Sequence, residues 1–152
     1  MKISIIIPTY NEAENIGQVL DYLNKNSDKN HVAEIIISDG ISEDNTLEIA
    51  RSKGARIIEH KNVGRAKQMN AGAKVATGDI LYFLHADSYP PKGFDQYILH
   101  YFDKGYQAGS FRMKWDMDHW LLNFFAWFTR FNFQWCRGGD QSLYVTRDIF
   151  SK

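Results

Sequence analysis

Short runs of β-branched and large apolar residues alternate with helical patterns along this chain. Three of the runs, at residues 3–7, 35–37 and 80–84, end in a polar cluster. Runs of this length between polar and turn residues are typical of buried strands. Because helical patterns separate them, we expect mostly parallel strands, flanked by helices, in a single α/β domain.

The helices between these strands are marked by apolar faces and by signals at their ends. The first helix has four apolar residues on one face, namely Ile16, Val19, Leu20 and Leu23. We expect Asn11 to cap it and Glu14 to complete a capping box. Further helices are expected at residues 46–53, 64–76 and 90–105, and a short strand at 56–59.

The second half of the chain is rich in aromatic residues. The helix opened by Pro91 is expected to bury one face, made of Phe94, Tyr97, Ile98 and Tyr101. Strands are expected at residues 106–115 and 143–145. Residues 120–131 predict an aromatic helix that is apolar nearly all round, and such a helix is buried or lies against a membrane or a partner. Core packing is favoured, and peripheral membrane contact or homo-oligomer formation stays open.

Composition limits the class of protein. A chain of 152 residues suits one domain, and its formal net charge of +0 argues against a large surface for nucleic acid. The single cysteine, Cys136, excludes an internal disulfide. A strand begins by residue 3, so no signal peptide is expected, and no run reaches the roughly 20 apolar residues of a membrane span. We expect a cytoplasmic protein.

The three polar clusters should meet, because the carboxyl ends of parallel strands share one edge of a sheet, where ligands bind. The first cluster spans residues 8–12, and its N–H groups either meet an anionic ligand or are satisfied by simple capping. Asp39 follows the second run and either accepts a hydrogen bond from a base or ribose, or forms an Asx-turn. Asp87 follows the third run, where it can bind Mg²⁺ or Mn²⁺ together with substrate phosphates.

Other residues could contribute to the same edge. Arg65 and Lys67 follow the flexible Gly64, which suits a diphosphate, although a solvated basic turn is the plain alternative. His85 is a softer ligand, so packing or orientation of the nearby acid is favoured over metal binding. Asp140 lies on a glycine turn, where it either touches an acceptor hydroxyl or is an ordinary turn residue. The chain lacks the dinucleotide glycine fingerprint and the P-loop, which argues against a dehydrogenase and an NTPase.

Four segments together resemble the family 2 glycosyltransferases, which have the GT-A fold. They are Ser4-Ile5-Ile6-Ile7-Pro8-Thr9-Tyr10-Asn11-Glu12, Ser38-Asp39-Gly40-Ile41-Ser42-Glu43-Asp44-Asn45-Thr46, the turn at residues 64–72, and Leu84-His85-Ala86-Asp87. The variants His85-Ala86-Asp87 and Gly139-Asp140-Gln141 look most like the bacterial branch linked to arsenosugar biosynthesis. The resemblance implies a single domain over residues 1–152, with a nucleotide-sugar-binding half at 1–90 and a partial acceptor-side half at 91–152.

The resemblance also implies roles for individual residues. The nucleotide-sugar-binding set would be Pro8, Thr9, Tyr10, Glu12, Asp39, Arg65, Asn70 and Asp87. Asp87 would hold a divalent Mn²⁺ or Mg²⁺ on the diphosphate, and His85 stands where the family's metal motif has its first acid. Asp140 is the nearest acid to the position of a catalytic base.

The implied reaction is inverting, metal-dependent sugar transfer from a nucleoside-diphosphate sugar, with UDP favoured, to an acceptor hydroxyl. Family members usually continue to an acidic motif that supplies the general base, so we expect this chain to lack the C-terminal part. Two alternatives stay open: transfer to a polyprenyl phosphate at a membrane, and a non-catalytic module that binds nucleotide sugars.

Overall fold

The fold is a mixed α/β domain with one central sheet. The computed structural model describes residues 1–61, 64–111 and 142–151. The strands are β1 (Ile3–Thr9), β2 (Val32–Asp39), β3 (Arg56–Glu59), β4 (Ile80–Phe83), β5 (Ala108–Ser110) and β6 (Leu143–Thr146). The helices are α1 (Ala13–Asn26), α2 (Thr46–Ser52), α3 (Arg65–Val75), α4 (Phe94–Asp103) and α5 (Arg147–Phe150).

The described strands form a sheet in the order β3-β2-β1-β4-β6-β5. Strands β1 to β4 run parallel, and β6 pairs antiparallel with both β4 and β5. Thr9 and Asp39 are register partners at the ends of β1 and β2. The expected parallel α/β arrangement is confirmed, and the polar clusters after β1, β2 and β4 follow the same edge of the sheet.

Helices cover both faces of the sheet, so the central strands are buried on two sides. All seven residues of β1 are buried. One core joins Ile5 and Ile7 to α1, α2 and α4, and the four predicted residues on the apolar face of α1 are buried in it. The other core joins Ile6 to α3. Gly72 on α3 lies so close to Ile6 that a Cβ added there would be 2.5 Å from Ile6 Cγ2.

The expected capping box of α1 is wrong. The residue before the helix is Glu12, and no side chain from within the helix start caps it. The Asn11 side-chain oxygen instead accepts a hydrogen bond from the Glu43 backbone N–H, at 2.9 Å. Acceptors from the loop after β2 satisfy the helix N-terminus, so a long-range contact has replaced the local motif.

The expected buried face of α4 is half wrong. Phe94 and Ile98 are fully buried, but Tyr97 and Tyr101 are 51% and 46% exposed. Asp95 is buried instead, with its Oδ2 accepting from the Asp28 N–H and lying 2.7 Å from the His31 imidazole. The helix begins at Phe94, so Pro91 precedes it.

Side-chain hydrogen bonds also organise the opposite edge of the sheet. Glu34 on β2 accepts hydrogen bonds from the Ser4 hydroxyl, the Thr77 N–H and hydroxyl, and the Arg56 guanidinium. Burial alone would raise the pKa of Glu34, but the hydrogen bonds from these three residues outweigh it and hold the pKa below its usual value.

Arg147, at the start of α5, ties the end of the chain to the end of α3. Its guanidinium donates to the carbonyl oxygens of Ala76 and Gly78. The cation therefore satisfies carbonyl groups just beyond the C-terminus of α3, where positive charge is favoured.

Several sequence expectations fall outside the described residues. They are the aromatic helix at 120–131, the strand beyond residue 111, and the turn that carries Asp140. Within the part of the chain that the structure describes, no helix is long and apolar enough to cross a membrane.

Candidate functional site

A cleft of about 150 Å³ lies at the carboxyl edge of the sheet. Three segments that are distant in sequence meet there: the loop after β1, the first turn of α3, and the turn after β4. The residues that line the cleft are Pro8, Thr9, Tyr10, Glu12, Arg65, Gln68, His85, Ala86 and Asp87. Two of the three predicted polar clusters therefore face one another across a common space, with the predicted basic turn between them.

Charge is placed on two sides of this cleft. Arg65 on α3 and Asp87 after β4 are both exposed, whereas His85 is only 7% exposed. The burial of His85 fits packing or orientation better than exposure to a metal. A ligand with both anionic groups and a bound cation would find a partner for each in this cleft.

Asp39 is not one of the described residues that line the cleft. Its carboxylate is fully buried, and it accepts hydrogen bonds from the Thr9 hydroxyl at 2.8 Å, the Ser42 N–H at 2.7 Å and the Ser42 hydroxyl at 2.6 Å. A carboxylate has about four acceptor positions. Protein donors fill three of them, so Asp39 fixes the loops around the cleft.

The loops after β1 and β2 are tied together by hydrogen bonds in both directions. The Asn11 N–H donates to Ser42 Oγ at 2.8 Å. The Glu12 N–H donates to Thr46 Oγ1 at 2.8 Å, and the Ala13 N–H donates to Asp44 Oδ2 at 3.1 Å. The N–H groups of Asn11 and Glu12, two of the candidates for an anionic ligand, and of the neighbouring Ala13 are thus already bonded within the protein.

Asp44 is the acid at the centre of this arrangement. Besides the Ala13 N–H, it accepts from the backbone N–H and the hydroxyl of Thr46. The hydrogen bond from the Thr46 hydroxyl, above all, holds the pKa of Asp44 below its usual value. Its negative charge also interacts favourably with the positive N-terminal end of α1. Asp44 therefore stabilises both the turn and the neighbouring helix.

Sequence reasoning missed Gln68, which is buried in the wall of the cleft. Its side-chain nitrogen donates to the Thr9 carbonyl at 2.6 Å and to the Ser38 carbonyl at 3.1 Å. The signal was available, because Gln68 lies four residues before Gly72 and therefore on the helix face that meets the sheet.

The remaining predicted site residues are placed differently. Asn70 is exposed on α3 and is not among the described residues that line the cleft. Asp140 lies outside the described residues. Within the described ranges, no group of three or more His, Cys, Asp or Glu side chains is arranged to hold a metal ion. A cation held by Asp87 would need most of its ligands from a bound diphosphate, which is a common arrangement for Mg²⁺.

This fold and cleft define a protein with a ligand site at the carboxyl ends of parallel strands. The model of the family described as glycosyl transferase family 2 matches residues 4–144. The chain therefore belongs to that family.

Two solved structures share the fold. A TarS fragment from S. aureus, in complex with UDP, superposes with a TM-score of 0.67 at 29% identity and covers 75% of this chain and 36% of that one. The mannosyltransferase PcManGT from Pyrobaculum calidifontis, in complex with GDP-Man and Mn²⁺, superposes with a TM-score of 0.75 at 22% identity and covers 99% of this chain and 46% of that one. The GT-A fold is thereby confirmed.

A relative of known sequence is the dolichol-phosphate mannosyltransferase of Pyrococcus furiosus. It is 34% identical over 98 residues, which make up 60% of this chain and 28% of the relative. The aligned part amounts to 31% or less of the first curated relatives that match this chain.

Proposed function

We propose that this protein transfers a sugar from a nucleoside-diphosphate sugar, with UDP as the nucleotide, to an acceptor hydroxyl. The acceptor oxygen would attack the anomeric carbon as the diphosphate leaves, with inversion of configuration. The observation that carries the proposal is the cleft itself. It unites the loop of residues 8–12, the cation Arg65 and the acid Asp87 at the edge of the sheet where α/β proteins bind ligands.

The proposed roles follow from position and chemistry. The loop of residues 8–12, with Asp39 below it, holds the base and ribose. Arg65 donates to diphosphate oxygens, for which its planar guanidinium is suited. Asn70 is proposed to assist from the same helix. Charge that builds on the departing diphosphate is stabilised by donors that are already in place, which is where such sites gain most of their rate.

Asp87 is proposed to hold a divalent cation against the diphosphate. One exposed carboxylate fits a cation that receives its other oxygens from substrate and water. When bound, Mn²⁺ or Mg²⁺ supplies positive charge for the leaving group. The Ser88 hydroxyl donates to Asp87 Oδ1 at 3.3 Å and helps to orient the carboxylate.

Deprotonation of the acceptor requires a base, and Asp140 is the candidate within this chain. General base catalysis contributes about 10²–10⁴-fold. An Asp140→Asn variant is therefore expected to bind donor normally and to lose turnover by that order. A variant that retains full turnover would exclude Asp140 as the base.

Calorimetry with UDP tests the donor site and the metal together. We expect UDP to bind more tightly with Mn²⁺ than with chelator, and Asp87→Ala to remove that difference. Asp103→Ala, which changes an exposed acid at the end of α4, is the matched control and should behave as wild type. If chelator leaves UDP affinity unchanged, Asp87 has no metal role. If UDP does not bind at all, the donor proposal is wrong.

A polyprenyl phosphate is a second candidate acceptor. The observation that favours it is the 34% identity to a dolichol-phosphate mannosyltransferase. Transfer assays with a short polyprenyl phosphate in detergent, beside a sugar alcohol in buffer, distinguish the two acceptors. Membership of the branch linked to arsenosugar biosynthesis is likewise a proposal, supported by His85-Ala86-Asp87 and Gly139-Asp140-Gln141.

A further inference from the structure

The Gln68 side chain is held in one orientation by the ends of two strands. Its Nε2 atom lies 2.6 Å from the Thr9 carbonyl oxygen and 3.1 Å from the Ser38 carbonyl oxygen. The Ser38 hydroxyl in turn donates to the Gln68 backbone carbonyl at 2.6 Å. A Cβ at Gly40 would be 3.0 Å from Gln68 Nε2, so glycine leaves room for this approach.

These contacts decide which end of the amide faces the cleft. Carbonyl oxygens only accept hydrogen bonds, so the nitrogen must face Thr9 and Ser38, and both of its hydrogens are used there. The side-chain oxygen of Gln68 therefore points the other way. Among the described residues, the buried side-chain atoms without a hydrogen-bond partner do not include this oxygen. Since Gln68 lines the cleft, its oxygen is available to a ligand there.

The amide thus presents an acceptor, and no donor, to whatever occupies the cleft. We propose that Gln68 is a specificity-determining residue, whose side-chain oxygen accepts a hydrogen bond from a ring N–H of the nucleobase. The inference rests on the proposed donor site and adds a selection rule to it. Uracil satisfies the rule with N3–H, whereas cytosine has an acceptor at the same ring position.

The rigidity of Gln68 is what makes the rule effective. An amide that could turn over would offer either a donor or an acceptor and would not discriminate. Here the reversed amide would place its oxygen against two carbonyl oxygens. A buried site built around one polarity rejects a ligand of the other, because a polar group is left unpaired.

Competition between UDP and CDP measures the effect in the full chain. The two nucleotides have the same shape, so the ratio of their dissociation constants isolates the hydrogen bond. We expect wild type to bind UDP about tenfold more tightly than CDP, equivalent to about 1.4 kcal/mol. Gln68→Met, which preserves length without the amide, should bring the ratio close to one.

A purely structural role gives a different result. Loss of loop order would weaken UDP and CDP equally and leave the ratio unchanged, which would overturn the proposal. It would also be overturned if Asp39→Asn abolished the preference while Gln68→Met kept it. If Gln68→Met instead removed discrimination between UDP and 2′-deoxy-UDP, the acceptor would serve the ribose, and the nucleobase assignment would be wrong.

Two further variants keep the test decisive. Gln68→Asn retains the amide but withdraws it by one methylene, so it should lower the ratio even if Gln68→Met folds poorly. Gln18→Met makes the same change at an exposed position on α1 and should keep the wild-type ratio. If wild type binds UDP and CDP equally, this inference fails while the donor site stands. If it binds neither, the proposed function itself fails.

Discussion

Adding one methyl group at Gly72 should weaken the packing of α3 against the sheet. A Cβ at this position would lie 2.5 Å from Ile6 Cγ2, and Ile6 is fully buried on the central strand. Overpacking of this kind destabilises by about 1–3 kcal/mol. Alanine gains about 1 kcal/mol over glycine from helix propensity. Since the overlap is severe, we expect Gly72→Ala to be destabilised by about 2 kcal/mol.

A second helical glycine provides the matched control. At Gly17 on α1, an added Cβ would lie 3.1 Å from Ile49 Cγ2, which a small shift can relieve. Gly17→Ala is therefore expected to be neutral or about 1 kcal/mol more stable. For a chain of this size, 2 kcal/mol corresponds to a fall in Tm of roughly 4–8 °C. Urea unfolding and thermal melts of both variants measure the difference.

A double substitution checks the cause. In Ile6→Ala the nearest atom of residue 6 to the new methyl would be its Cβ, at 3.5 Å, an ordinary contact. Within that background, Gly72→Ala should become neutral or stabilising. If Gly72→Ala is as stable as Gly17→Ala, or if its effect is the same with and without Ile6→Ala, the clash is not what decides stability and our reasoning is wrong.

Three further predictions concern polar groups. The pKa of Glu34 is lowered in the folded state, so its contribution is present above the unfolded value of 4.5 and is lost as the pH falls through the folded value. Glu34→Gln should be less stable than wild type at pH 7 in urea unfolding, with the difference disappearing in acid; an unchanged difference would exclude the ionised form as the cause. The free energy of unfolding of Arg147→Met should be about 1–3 kcal/mol lower than that of wild type, since two carbonyl groups lose a charged donor. Equal midpoints in urea unfolding would show that water replaces the guanidinium. Asp39→Ala leaves the Ser42 N–H without an acceptor, so its free energy of unfolding should fall by about 1–3 kcal/mol even without ligand. Asp39→Asn should be nearly neutral, because the hydroxyls of Thr9 and Ser42 can turn to accept from the new amide. Equal ligand-free stability of Asp39→Ala and wild type would mean that Asp39 is not structural.

Features that depend on sequence periodicity were predictable. The strands at residues 3–7, 35–37 and 80–84 and the apolar face of α1 follow directly from the pattern, because burial of that face decides the local structure. Their parallel order followed from the helices between them. This order predicted that all three polar clusters meet at one edge. The clusters after β1 and β4 line the cleft together with Arg65, whereas Asp39 at the end of β2 is buried beside it.

Features that depend on long-range hydrogen bonds were not predictable from local pattern. The expected cap from Asn11 and Glu14 does not form, because side chains more than 30 residues away in sequence accept the hydrogen bonds at the start of α1. Tyr97 satisfies the helical period but is exposed, whereas the buried face of α4 includes Asp95, whose carboxylate contacts His31 and the Asp28 N–H far away in sequence. The spacing of Gln68 from Gly72 indicates the helix face on which it lies. Its hydrogen bonds were not predictable, because the two carbonyl groups that accept them belong to separate strands.

The interlocked loops after β1 and β2 have a consequence for anyone who transplants or redesigns this site. Backbone N–H groups of Asn11, Glu12 and Ala13 each end on a side chain of the other loop, and Glu43 returns a bond to Asn11. The two loops therefore form one structural unit. Grafting residues 8–12 onto another scaffold without Ser42, Asp44 and Thr46 would leave the start of the following helix unsupported, and a one-residue insertion in either loop would have to be matched by a change in the other.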